Sequence, residues 1–171
     1  SVSGIDDVAR TLPKKTVLFE YALGDSSSLL WVIDREHRAM HTLPPRGQVE
    51  LEVRRFRDAL GKVGSGDDAM LASARSLYRM LLEPGADRLG KAETVLIVPD
   101  GALFELPFDA LLAREPASGG AMREQPFVAR THATTYVPSA TVYVRLSGAD
   151  RSRKYERDLF AVGNPDFAGL T

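Results

Sequence analysis

The chain has 171 residues, 44% of them hydrophobic and 26% charged, with a formal net charge of −1. That is the composition of one ordinary α/β-sized globular domain, and the near balance of 22 Lys+Arg against 23 Asp+Glu excludes a global field that would recruit nucleic acid or an anionic membrane. No apolar run is long enough to span a bilayer, Ser1-Val2-Ser3 has no signal-peptide character, and the absence of cysteine excludes disulfides, thiolate ligands and a thiol nucleophile within these residues. A reducing, cytoplasmic setting is the expectation.

In chain order, residues 1–11 read as a linker or terminal segment. Thr16–Leu23 (TVLFEYAL) and Leu29–Asp34 (LLWVID) are strand-like runs joined by a Gly24–Ser28 hairpin loop, and Ala39–Leu43 adds a third strand after the Arg35–Arg38 turn. An antiparallel meander is expected. Val49, Val53, Phe56 and Leu60 recur at helical spacing, with Gly61 at the position of a C′ glycine. After the Gly64-Ser65-Gly66 linker, Asp67 and Asp68 open a second helix with the stripe Met70, Ala74, Leu77, Tyr78 and Leu81, which Pro84-Gly85 closes.

Glu93–Leu112 (ETVLIVPDGALFELPFDALL) is the most informative stretch. Val95–Val98 is a continuous apolar run, as in a strand buried on both faces; Pro99-Asp100-Gly101 is a sharp turn, and Leu106-Pro107-Phe108 is expected to open a helix. In an open α/β sheet, ligands bind outside the carboxyl ends of the strands. Ala113–Pro126 reads as an exposed loop and Phe127–Tyr136 as extended; Pro138-Ser139 opens a short helix with Ser139 as its N-cap, carrying Val142, Tyr143 and Leu146. Leu159–Val162 is a second buried strand, expected to run parallel to the first, and Gly163–Asp166 ends it. With no crossover helix after this core strand, the chain is expected to be part of a larger domain.

Few side chains suggest chemistry. Asp100 and Asp166 each follow a core strand and are suited to a cationic group or a magnesium ion, although Pro-Asp-Gly and Asn-Pro-Asp are also ordinary turn chemistry. Gly85–Lys91 fits G-x-x-x-x-G-K, but Ala92 replaces the Ser/Thr and the segment precedes a strand instead of opening a helix, so it is no P-loop. His37, His41 and His132 have no metal-ligand spacing, Ser26–Ser28 is no nucleophile elbow, Glu115 and Glu124 have no evident partner, and Tyr21 and Trp31 read as packing residues.

The order of segments carries more. TVLFEY (Thr16–Tyr21) is followed by the Trp31 strand, then LYRMLLEP (Leu77–Pro84), LIVPDGALFELPF (Leu96–Phe108), YVPSA (Tyr136–Ala140) and VGNP (Val162–Pro165). That order resembles the CHAT domain, a caspase-like domain found with helical repeats and distantly related to separase. The resemblance covers the chain from about Val8 onward and implies a three-layer αβα fold in a clan of cysteine endopeptidases. It further implies a catalytic histidine and cysteine beyond the G-N-P strand, so that no catalytic residue lies in this chain, no cofactor or metal is needed, and a peptide is the substrate. The partner implied is the C-terminal half of the same domain, attached or in trans. By topology alone, the resemblance implies that Asp100 stands where caspase-like enzymes form the pocket for the substrate residue before the scissile bond, and an acid there suits a basic side chain. The alternatives are an inactive CHAT-like interaction module and a magnesium-dependent hydrolase using Asp100 and Asp166.

Overall fold

The structure, a computed structural model, describes residues 4–61, 67–116 and 121–147. Five strands form one mixed sheet in the order β3-β2-β1-β4-β5. β1 (Thr16–Ala22), β2 (Ser28–Ile33) and β3 (Arg38–Leu43) are the expected antiparallel meander. β4 (Thr94–Val98) then joins β1 in parallel, with Phe19 opposite Ile97, and β5 (Ala133–Tyr136) joins β4 in parallel. The meander therefore places β1, not β4, at the sheet centre. The expected strand Leu159–Val162 and Asp166 lie outside the described residues.

Alternation along the strands feeds two apolar layers. Val17, Phe19, Tyr21, Leu30, Val32, Val95 and Ile97 pack beneath α2 (Arg46–Leu60) and α3 (Asp67–Leu81), which contribute Val49, Val53, Phe56, Ala74, Leu77 and Leu81. Leu18, Ile33, Leu96 and Val98 meet Val8, Ala9 and Leu12 on the other face, together with Ala140 of the last helix. A strand covered on both faces has no polar face to show, which explains the unbroken Val95–Val98 run. The result is a helix–sheet–helix sandwich, an α/β fold with antiparallel strands preceding parallel ones.

Several local expectations change. Residues 1–11 are not simply a tail: α1 (Ile5–Thr11) buries Val8 and Ala9 to build the second layer. Gly61 has φ −73°, right-handed, and its N–H reaches Arg57 O at 3.1 Å, so α2 ends without a left-handed cap; Leu60 stays exposed. Pro84 does not end the helical path, since a 3₁₀ turn (Glu83–Gly85) leads into the one-turn α4 (Ala86–Leu89). In place of the helix expected at Leu106-Pro107-Phe108, the chain makes 3₁₀ turns at Gly101–Glu105 and Phe108–Ala110. Phe127–Tyr136 is only half extended, its first part being a 3₁₀ turn, Val128–Arg130. Glu115 does have partners: Arg75 at 3.2 Å and Arg79. The final helix, α5 (Ala140–Ser147), starts as expected, with Val142 N–H donating to Ser139 Oγ at 3.1 Å; its inward contacts are Ala140, Tyr143 and Val144, while Val142 and Leu146 are exposed. No helix among the described residues is long and apolar enough to cross a membrane.

Candidate functional site at the carboxyl ends of the strands

The Pro-Asp-Gly turn fastens β4 to β1. Asp100 Oδ2 accepts the Leu23 N–H at 2.7 Å, and Leu23 O accepts from Arg46 Nη2 at 2.6 Å, so both backbone groups of Leu23 are held by side chains from other elements. Gly101 follows at φ +54°, the left-handed region open to glycine, and a Cβ there would lie 3.3 Å from Leu23 Cδ1. Asp100 is thus a turn residue with one oxygen committed. Its Oδ1 has no hydrogen bond among the described residues.

The two segments that matched most specifically in sequence meet beside this turn. Tyr136, the last residue of β5, accepts the Phe108 N–H at 2.9 Å through its hydroxyl and donates to Leu106 O at 3.4 Å. Its ring stands edge-on to Phe108 at 6.3 Å, and Phe108 lies 5.6 Å from Tyr21. Tyr21 in turn donates to Leu81 O at 2.9 Å, at the end of α3. One aromatic chain therefore ties L-P-F to the Y-x-P-S-A strand, to β1 and to α3. Burial raises the Tyr21 phenol well above its ordinary value, helped by neighbouring Tyr136. Burial also raises Tyr136, with Asp109 adding to it against the Phe108 N–H. Both hydroxyls stay protonated and act as fixed links.

An open groove of about 480 Å³ lies against this cluster, lined by Phe104, Glu105, Leu106, Pro107, Asp109 and Tyr136. Phe104 is 63% exposed on its wall, and Glu105 pairs with Arg57 of α2. The groove offers apolar surface and carboxylates; it contains no nucleophile with a base beside it. The histidines are elsewhere. His132 precedes β5, bonding Leu89 O at 3.0 Å; His41 sits on the edge strand β3; His37 sits in the β2–β3 turn, 2.8 Å from Arg88. No group of three or more acids or histidines that could hold a metal occurs among the described residues.

The groove lies beyond the carboxyl end of β4, and its construction has no local sign in the sequence. Tyr136 appeared only as a motif letter, with nothing local to reveal the loop it holds. Glu20 is a lone charge inside the apolar run TVLFEYAL, the one local sign of its position. It faces a cavity of about 290 Å³ with Val8, Trp31, Ile33 and Ala140, and accepts the Ala140 N–H at the start of α5. Burial raises its carboxyl above the ordinary value, partly offset by that N–H.

A three-layer α/β domain with a groove beyond the carboxyl ends of parallel strands, preceded by an antiparallel meander, is the architecture of a caspase-like domain. The family model described as the CHAT domain matches residues 71–170, which takes in most of α3, all of β4 and β5, and the whole groove. The chain belongs to the CHAT domain family, a family related to caspase-like peptidases. No curated protein matches it.

Proposed function

We propose that this chain is the N-terminal scaffold half of a CHAT-family cysteine endopeptidase, whose histidine and cysteine lie downstream or on a second chain. The observation that carries the reading is the groove itself: the L-P-F and Y-x-P-S-A segments are joined by Tyr136 into a shaped wall at the strand ends. Such a wall suits an extended peptide. With no cysteine among the 171 residues, the thiol must be supplied by other residues. The C-terminal half of the domain is the partner in this reading, docking along β5, whose Ala133, Thr135 and Tyr136 are exposed on the outer strand of the described sheet. Asp100 Oδ1 and Asp109 would receive a basic substrate side chain by charge-assisted hydrogen bonds.

The test is co-expression of this chain with the polypeptide that carries the downstream histidine and cysteine, assayed on peptides with basic or apolar residues before the cut. Thiol-dependent cleavage is expected from the pair and none from this chain alone. Asp100→Asn keeps an oxygen for the Leu23 N–H, so stability should change by less than about 1 kcal/mol, while cleavage after basic residues falls at least about tenfold. Unchanged cleavage in that variant reduces Asp100 to its turn role, and no cleavage by the wild-type pair favours an interaction module. For that second reading the specific support is β3, an edge strand exposed from Arg38 to Met40 and open to strand addition.

A further inference from the structure

A second cleft lies at the opposite ends of β1 and β4, away from the groove, and has a different chemistry. It has a volume of about 500 Å³ and is walled by Lys14, Lys15, Arg35, Arg88 and Lys91, with His37 beside them, against only two acids, Asp34 and Glu36. In a chain of net charge −1, that is a local concentration of positive charge, not a reflection of composition.

The cations are held in different ways. Asp34 Oδ1 accepts the Glu36 and His37 N–H groups, each at 2.7 Å. The Asp34 carboxylate then flanks Arg88, which is mostly buried, at 3.6 Å, while Arg88 Nη1 lies 2.8 Å from His37 Nδ1. A guanidinium can only donate, so in this contact His37 Nδ1 is the acceptor, and Nε2 is the ring nitrogen left to donate on the cleft wall. Arg35 donates to Leu12 O at 3.4 Å. Lys15 pairs with Glu93. Lys14 and Lys91 are exposed and have no ion-pair partner among the described residues. Lys15 also stands at φ +56°, the one non-glycine residue with a positive φ among those described, and its carbonyl is held there by the Glu93 and Thr94 N–H groups at 2.8 and 3.2 Å. A glycine would adopt that conformation at lower cost; strained side-chain-bearing residues of this kind concentrate at ligand sites.

We propose that this cleft binds a small phosphate-bearing anion of the size of a nucleoside di- or triphosphate. Arg88 and His37 provide a fixed donor pair, and Lys14 and Lys91 provide free charge at the rim. The volume falls in the range of small-ligand pockets, and a formal net charge of −1 gives no global field that would recruit a long polyanion in its place. The site is independent of the peptidase reading, because it shares none of the groove's lining residues.

Calorimetric titration of the full chain with ATP, ADP and inorganic tripolyphosphate tests the proposal, alongside the double variant Lys14→Ala/Lys91→Ala. Saturable binding is expected at submillimolar or lower concentration, with the double variant at least about tenfold weaker and its unliganded thermal midpoint unchanged. Equal affinity for ATP and tripolyphosphate would identify phosphate alone as the recognised group, and tighter binding of ATP would add the nucleoside. No saturable binding of any probe at millimolar concentration overturns the proposal. So does equal binding by the double variant, or a single-stranded oligonucleotide that outcompetes the nucleotide for the same site.

Discussion

At the scale of single residues, the charges that matter are those inside or against the sheet. Glu20 and Asp34 have opposite electrostatic positions. Burial raises the Glu20 carboxyl, whereas at Asp34 burial is outweighed by the Glu36 and His37 N–H groups and by the nearby His37 and Arg88, which lower it. As pH rises, an unfolded Glu20 loses its proton before the folded one does, so this residue reduces stability from the ordinary glutamate range up through its raised value. Asp34 works the other way: its contribution is present above the ordinary aspartate range and is lost as pH falls through its lowered value. Glu20→Gln keeps an oxygen for the Ala140 N–H but removes the charge. Relative to wild type, the variant should gain stability as pH rises from the ordinary glutamate range through the raised value of Glu20, measured by urea denaturation at several pH values. Parallel curves for the two proteins would mean that Glu20 ionises as freely in the fold as in water.

At the scale of elements, the ends were harder to read than the interiors. The α2 and α3 stripes were legible because Val49, Val53 and Phe56, and likewise Met70, Ala74, Leu77, Tyr78 and Leu81, repeat at helical spacing and are all buried. Gly61 looked like a left-handed terminator, but its right-handed φ gives glycine no special role, and a Cβ there would meet only carbonyl oxygens at 3.7 and 3.8 Å. Gly61→Ala should therefore stabilise the protein by about 0.4–1 kcal/mol, by restricting the unfolded chain. A loss of stability in thermal or urea unfolding would show that the turn after α2 needs glycine. Leu106-Pro107-Phe108 carries the signature of a helix start, yet the Phe108 N–H donates to Tyr136, and the chain bends into short turns that follow the groove instead. That competition involves a residue 28 positions away and has no local sign.

At the scale of the whole molecule, the two helical layers and the sheet are packed closely enough that one methyl group is felt. Gly85 sits against the sheet, where a Cβ would lie 2.7 Å from Phe19 Cζ and 2.9 Å from Val32 Cγ2, both fully buried side chains. Gly85→Ala should destabilise the protein by about 1–3 kcal/mol through overpacking, read as a lowered urea midpoint with an unchanged slope. A neutral outcome would mean that the Glu83–Gly85 turn shifts outward without disturbing α3. The glycine in this G-x-x-x-x-G-K match is thus a packing glycine, and the lysine at its end, Lys91, lies at the rim of the basic cleft.

What the amino-acid order determined by itself was most of what has a short period or a local chemical reason. The meander, the doubly buried Val95–Val98 strand, the helical stripes, the Ser139 cap and the Pro-Asp-Gly turn each follow from residues within a few positions of one another, and so does the exclusion of thiol chemistry. The family segments were legible for the same reason, as short ordered strings. Tertiary structure alone decided that β1 occupies the sheet centre, because pairing with β4 joins residues such as Thr16 and Thr94 that no local pattern links. It also decided that Asp100 is spent partly on Leu23, 77 residues earlier, and that Tyr136 shapes the groove. Above all, it gathered Lys14, Arg35, Arg88 and Lys91, which are ordinary solvated charges along the chain, around one cleft. Charge clustering depends on which strand ends meet, and strand order is a property of the folded sheet, not of any window of sequence.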